Sequence, residues 1–256
     1  DEQWRFINET KDIRDQLKKF AEMVNYLAKT GQQGKMRALV NAAPAQIENN
    51  PYVEKMRQDL YPPKDWTNKE VAIYCGPQFT PWDAISINGT GSSFVGGSEE
   101  AVIYLSKELS KIGYKVVVFA DPLKEGVYDG VEYLSHYKFN VRDNFNILIY
   151  WRSVSWIDMN CNAKKTYLWC HDVLNPVEFT KERLDKLTKI IVLSKAHREN
   201  LPDVPDDKIF ISSNGFFEHH PEKKLKNDSN KVIYTSSYDR GLENLLTIWP
   251  DVIKEV

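Results

Sequence analysis

Cysteine is scarce in this chain: Cys75, Cys161 and Cys170 are the only three among 256 residues. Three scattered thiols supply neither a disulfide frame nor the four closely spaced ligands of a structural zinc site. No apolar run nears the roughly 20 residues that a membrane-crossing helix needs, and the start lacks the basic-then-apolar pattern of a secretory signal. An excess of one charge is missing as well. Lys and Arg number 34 against 36 for Asp and Glu, for a net charge of −2, without the basic bias that nucleic-acid binding requires. There is also no Asp-x-Asp triplet, no Gly-x-Ser-x-Gly elbow and no metalloprotease helix motif. These absences describe a cytoplasmic chain with no transmembrane segment, no nucleic-acid partner and no metal requirement. Asn8, Asn88 and Asn227 open N-x-S/T triplets, which read as chance without a secretory signal. The remaining composition, 42% hydrophobic and 27% charged, is that of an ordinary globular protein with room for one large core or two domains.

Glycine, in contrast, is concentrated. Five of the twelve glycines fall between Gly76 and Gly97, after a Val/Ile-rich stretch and before an amphipathic one. Strand, glycine-rich loop, helix and strand in that order form the first unit of a parallel α/β sheet, whose ligands sit where loops leave the strands' carboxyl ends. Glycine lets backbone amides approach a ligand there and takes positive φ without a Cβ clash.

The first 65 residues differ from the rest. Apolar residues at Ile13, Leu17, Phe20, Val24 and Leu27 predict a helix over 11–30. Further helical pieces are expected over 35–43 and 51–60, ended by Tyr61-Pro62-Pro63. From residue 70 onward strands are expected at 71–75, 115–120, 146–151, 166–170, 189–193 and 208–212. Helices are expected at 99–112, 180–187 and 195–200. Such alternation predicts an α/β chain with a Rossmann-like, doubly wound parallel sheet and an N-terminal helical appendage. A polar linker follows Ser212-Ser213-Asn214-Gly215, and a new strand (231–235) and helix (241–256) close the sequence. The domain reading is therefore 1–65 helical appendage, 66–220 Rossmann-like domain, and 221–256 linker plus the first strand–helix unit of a second domain.

Two loops carry candidate chemistry. Gly96-Gly97-Ser98-Glu99 opens the main helix, and unpaired amides at a helix start bind phosphate, although Glu99 and Glu100 also complement the dipole themselves. Trp169-Cys170-His171-Asp172 leaves a strand at the edge where sites form, and His171 can hydrogen-bond a hydroxyl or carry a proton near neutral pH. A nicotinamide enzyme is disfavoured, because Gly89-Thr90-Gly91 is followed by Phe94 where the third glycine of the dinucleotide fingerprint belongs.

Taken together, several stretches resemble the retaining nucleotide-sugar-dependent glycosyltransferases built from two facing Rossmann-like domains, the GT-B type, glycogen-synthase-like group. They are Gly96-Gly97-Ser98-Glu99 with its helix, Leu109–Gly113 and the strand Lys115–Phe119, then Trp169–Asp172 and Ile191–Lys195. The series continues with Ile211–Gly215, Tyr234–Ser237 and Arg240-Gly241-Leu242. The resemblance covers about residues 70–256 and implies the first half of a GT-B fold that transfers a sugar to an acceptor. It implies His171 as the catalytic residue beside the donor sugar. Gly96, Gly97, Ser98, Glu99, Asp172, Asn214, Gly215, Arg240 and Gly241 are then the donor-binding residues. The nucleotide-diphosphate sugar is a co-substrate, with no cofactor and no metal. The acceptor is a sugar, lipid or protein, and peripheral membrane contact stays open. Acceptor contacts are expected from loops 78–94 and 151–163, where Trp82, Trp151 and Trp156 are candidates to stack on sugar rings.

The family pattern departs in two places. Many members carry another arginine roughly where Ser236 or Ser237 stands, and their paired glutamates lie farther along than Val256. The sequence is accordingly read as the acceptor-side domain with little of the donor site, inactive alone. The alternative reading is a non-catalytic α/β module that binds a nucleotide or a partner.

Overall fold

The structure is a computed structural model that describes residues 12–78, 80–86, 95–215, 232–234, 236 and 238–255. It contains two compact units, residues 1–215 and 216–256.

The first unit is an α/β fold of Rossmann-like type. Eight strands, β1 (Glu70–Tyr74), β2 (Lys115–Ala120), β3 (Gly126–Tyr128), β4 (Val131–Ser135), β5 (Asn144–Trp151), β6 (Asn162–Trp169), β7 (Lys189–Val192) and β8 (Ile209–Ile211), form one sheet in the order β3-β4-β2-β1-β5-β6-β7-β8. Every pairing is parallel except β3 with β4. The chain starts at β1 and winds outward first through β2 and β4, then in the other direction through β5 to β8. The reversal lies between β1 and β5, the switch point where open α/β sheets leave a crevice.

Both sheet faces are buried, as continuous hydrophobic strands require. Alternate residues serve opposite faces. Ala72, Tyr74, Val117, Phe119, Leu148 and Tyr150 line one core. Val71, Ile73, Val116, Val118, Ile149 and Trp151 line the other, beneath Val102 and Ile103. Those last two belong to the main helix, Gly97–Lys111. It carries Glu99 and Glu100 in its first turn and ends on Gly113 at φ +92. There the amides of Gly113 and Tyr114 donate to the carbonyls of Ser110 and Leu109, both at 3.0 Å, the double bond that closes a glycine-terminated helix.

Ahead of the sheet stand α1 (Ile13–Lys29), α2 (Gln33–Asn41) and α3 (Pro51–Leu60). Phe20, Leu27, Leu39, Val40, Ile47 and Val53 give them a core of their own. They belong to the same compact unit as the sheet, to which Arg142 ties α3 through the Gln58 and Tyr61 carbonyls. The main helix is therefore α4, followed by α5 (Lys181–Lys186) and α6 (Lys195–Glu199).

Six of the expected strands and all the expected helices of this unit are present, with ends shifted by up to four residues. The hairpin β3–β4 was not expected. It replaces a crossover helix between β2 and β4, turning on Asp129 (φ 51) and Gly130 (φ 79), the two-residue turn that requires positive φ at both positions. The second unit holds α7 (Leu242–Glu255). The expected strand 231–235 is described only at 232–234, which are not in a strand, and its ends lie outside the described residues.

Candidate functional site

Strand β5 ends abruptly. Arg152, the residue after it, has φ +65, a left-handed conformation that costs a residue with a Cβ roughly 1–2 kcal/mol. Its amide still donates to the Trp169 carbonyl of β6 at 2.9 Å, so the turn lifts its side chain out of the sheet edge. The guanidinium Nε–H donates to Asp172 Oδ2 at 2.6 Å, and Nη1 lies 3.7 Å from Glu99 Oε1. The guanidinium also lies over the Trp151 ring, 5.0 Å from its centroid. Arg152 thus joins the loop after β6 to the first turn of α4 beside the switch point.

Gly96 caps that helix with φ −81, and Gly97 is its first residue. The φ of Gly96 is ordinary, and a Cβ there would crowd only the flexible end of Glu99. A Cβ on Gly96 would come within 2.6 Å of Glu99 Oε2, an oxygen that Ser98 Oγ also contacts at 2.9 Å. The Glu99 carboxylate is therefore folded back over the helix start, with its other oxygen toward Arg152.

His171 lies one residue before Asp172, its ring 4.5 Å from Trp169 and 6.1 Å from Trp151. Its Nε2 is buried and forms no hydrogen bond among the described residues. Burial, and then the Arg152 charge, push the imidazole down to about 4 against an Asp172 contribution in the other direction, so the ring is neutral at pH 7. His197 on α6 acts on it electrostatically in the same sense as Arg152, and its buried Nε2 likewise has no partner among the described residues.

Gly76, which ends β1, is the second constrained glycine. It has φ +70, and a Cβ there would meet Trp156 Cζ2 at 2.6 Å. Trp156 comes from the 3-10 turn Val154–Met159 and stands edge-on to Tyr74, with centroids 5.3 Å apart. A partly buried indole thus covers the switch point on the β1 side.

Of the residues singled out in the sequence, Glu99 and Asp172 are brought together through Arg152, with Gly96, Gly97, Ser98 and His171 carried on the same two loops. Asn214 and Gly215 are the last residues of the first unit, and Arg240 and Gly241 belong to the second, where Gly241 (φ +100) precedes α7. The expected sugar-stacking roles of Trp82 and Trp151 are corrected. These indoles are 1% and 2% exposed, pack on each other at 6.2 Å and belong to the sheet core. Of the loop 78–94, residues 79 and 87–94 lie outside the described residues.

Arg152 was missed in the sequence because nothing local marks it. Its two carboxylate partners are 53 positions before it and 20 after it in the chain. Among the described residues no helix is long and apolar enough to cross a membrane, and no cluster of three or more metal-ligating side chains forms. Comparison with protein-family models, with curated proteins and with solved structures finds no match.

Proposed function

We propose that this chain supplies the acceptor-side domain of a retaining nucleotide-sugar-dependent glycosyltransferase of the GT-B type, glycogen-synthase-like group. The observation that carries the reading is the Arg152 bridge. It brings a glycine-lined helix start and the loop of a neutral, partly buried histidine to the switch point of a doubly wound sheet. In this reading the donor's diphosphate takes the helix-start amides at Gly96 and Gly97, and His171 Nε2 gains a donor-sugar hydroxyl as its partner. A neutral imidazole suits that contact because it reads a hydroxyl without adding charge.

Charge sets a condition on this arrangement. Arg152 with Glu99 and Asp172 sums to −1, so a diphosphate enters only if the Glu99 carboxylate leaves the helix start and further cations arrive. Arg240 is the residue that the resemblance assigns to that task, and an arginine fork meets phosphate oxygens in pairs. Developing charge on the leaving diphosphate would then be met by the α4 amides.

The test is sugar transfer from UDP-, GDP- and ADP-hexoses, comparing this chain with the longest translation product that contains it. The 256-residue chain is expected to turn over negligibly, since closure of an opposing domain is what excludes water in such clefts. Transfer by neither protein would end the reading.

The position of Glu99 favours one alternative, a non-catalytic module that binds a nucleotide or a partner. A carboxylate already seated on the helix start is a structural neutraliser of the dipole. Donor binding without transfer, in the longest product, would select that reading.

A further inference from the structure

Asp121 and His136 each follow a strand of the sheet by one residue. β2 ends at Ala120 and β4 at Ser135, and those two are register partners, so the parallel strands deliver the two side chains together at the carboxyl edge. His136 Nδ1 lies 2.6 Å from Asp121 Oδ1. The other carboxylate oxygen accepts the Gln78 amide at 2.7 Å, and the Asp121 carbonyl accepts the Trp82 amide at 3.0 Å. Gln78 in turn donates its side-chain amide to the carbonyls of Cys75 at 2.7 Å and Gly76 at 3.3 Å. The pair is thereby fixed to the loop that leaves β1. Two strand spacings of ~4.8 Å separate β4 from β1, which puts His136 about 10 Å from β1.

With Asp121 acting as acceptor toward both neighbours, the neutral ring carries its hydrogen on Nδ1 and keeps a lone pair on Nε2. Among the described residues nothing hydrogen-bonds that nitrogen, and both side chains are 27% exposed. The strap from β4 to β2 needs the hydrogen on Nδ1, and the same tautomer leaves Nε2 as an acceptor on the water side. Nothing in the donor chemistry at β1, β5 and β6 uses it. We infer that the Asp121–His136 pair is a hydroxyl-binding site, in which His136 Nε2 accepts a hydrogen bond from a polyhydroxylated ligand. Its assignment to the sugar acceptor rests on the glycosyl-transfer reading. The binding itself does not.

The experiment is histidine 15N NMR of the 256-residue chain, titrated separately with glucose, mannose, myo-inositol and glycerol. The expected result is an Nδ1–H tautomer at His136 and a saturable shift of its Nε2 resonance with at least one of the four. In Asp121→Asn, checked for an unchanged melting temperature, the tautomer is released and affinity for that ligand falls about 5-fold, the value of one hydrogen bond. An Nε2 resonance unmoved by all four compounds overturns the inference in the wild-type chain alone, whether or not the variant folds. Equal affinity in a folded Asp121→Asn overturns it as well. A parallel titration of the longest translation product that contains this chain, with UDP-, GDP- and ADP-hexoses, separates the two claims. Donors that fail to bind, with the polyol shift intact, remove the glycosyl-transfer reading and leave the hydroxyl site standing.

Discussion

Arg152 donates its Nε–H to Asp172 Oδ2 at 2.6 Å, across the carboxyl ends of β5 and β6. One guanidinium on a left-handed residue therefore sets the position of the loop that carries His171. Arg152→Ala is expected to raise the His171 titration midpoint from about 4, because burial remains while a nearby positive charge is removed. Arg152→Lys keeps the charge but cannot bridge two carboxylates with one planar fork, and is expected to loosen the Asp172 loop with a smaller change in midpoint. Histidine NMR titration of the three proteins checks both, and a midpoint unmoved in Arg152→Ala would contradict the assigned cause.

The same histidine makes stability fall in acid. His171 titrates at about 4 in the fold against an ordinary 6.5, so between those values the unfolded chain binds the extra proton. Its contribution is fully present above pH 6.5 and is lost as pH falls toward 4. Discounted for partial exposure, the loss is roughly 2 kcal/mol. Denaturant unfolding of the wild type and of His171→Phe, at pH 7 and pH 4.5, should show a smaller acid penalty in the variant.

Glu70 acts in the opposite sense. Burial pushes its carboxyl up, but the Lys64 ammonium at 2.8 Å and the Thr67 amide at 2.6 Å outweigh that and hold it down at about 2. Its stabilisation is present above pH 4.5 and is lost as pH falls toward 2. Glu70→Gln at pH 7 is expected to cost about 1.5–3 kcal/mol, the range for a hydrogen bond to a charged group, and the variant should lose less stability between pH 5 and 3.

The two constrained glycines should respond differently. Gly76→Ala meets both a left-handed φ and the ring of Trp156, so about 2 kcal/mol or more of stability is expected to go. Trp156→Ala in the same chain should relieve only the steric part. Gly96→Ala meets only the mobile end of Glu99 at an ordinary φ, and its stability cost is expected below ~1 kcal/mol. Donor affinity should nevertheless fall at least tenfold, because a methyl blocks approach to the helix-start amides. Thermal melts and donor titration of the two variants separate these effects.

The strands around the switch were legible because β1, β2 and β5 are buried on both faces and read as near-continuous Val, Ile and Tyr. The helix start at Gly96 and the strand end at His171 were legible for the same reason, since each is punctuation at the end of a strong element. The edge pair β3–β4 escaped notice because only alternate residues of β4 are buried, although Asp129-Gly130 is itself a hairpin signal. That signal puts His136 at a strand end beside Asp121. Trp151 reads in sequence as a loop aromatic, yet it shares the parity of Ile147 and Ile149 and so points into the core. Arg152 had no such cue. Its left-handed turn and both its partners are products of the tertiary fold.

The most direct measurement of the central claim is a ligand-detected NMR titration of the longest translation product that contains this chain with UDP-, GDP- and ADP-hexoses, run beside Gly96→Val and His171→Ala. The account predicts that one of these donors binds the wild-type product. It also predicts that Gly96→Val weakens the nucleotide contacts, and that His171→Ala weakens the sugar contacts while sparing the nucleotide. Binding by none of the three donors, or binding that both variants leave untouched, would contradict it.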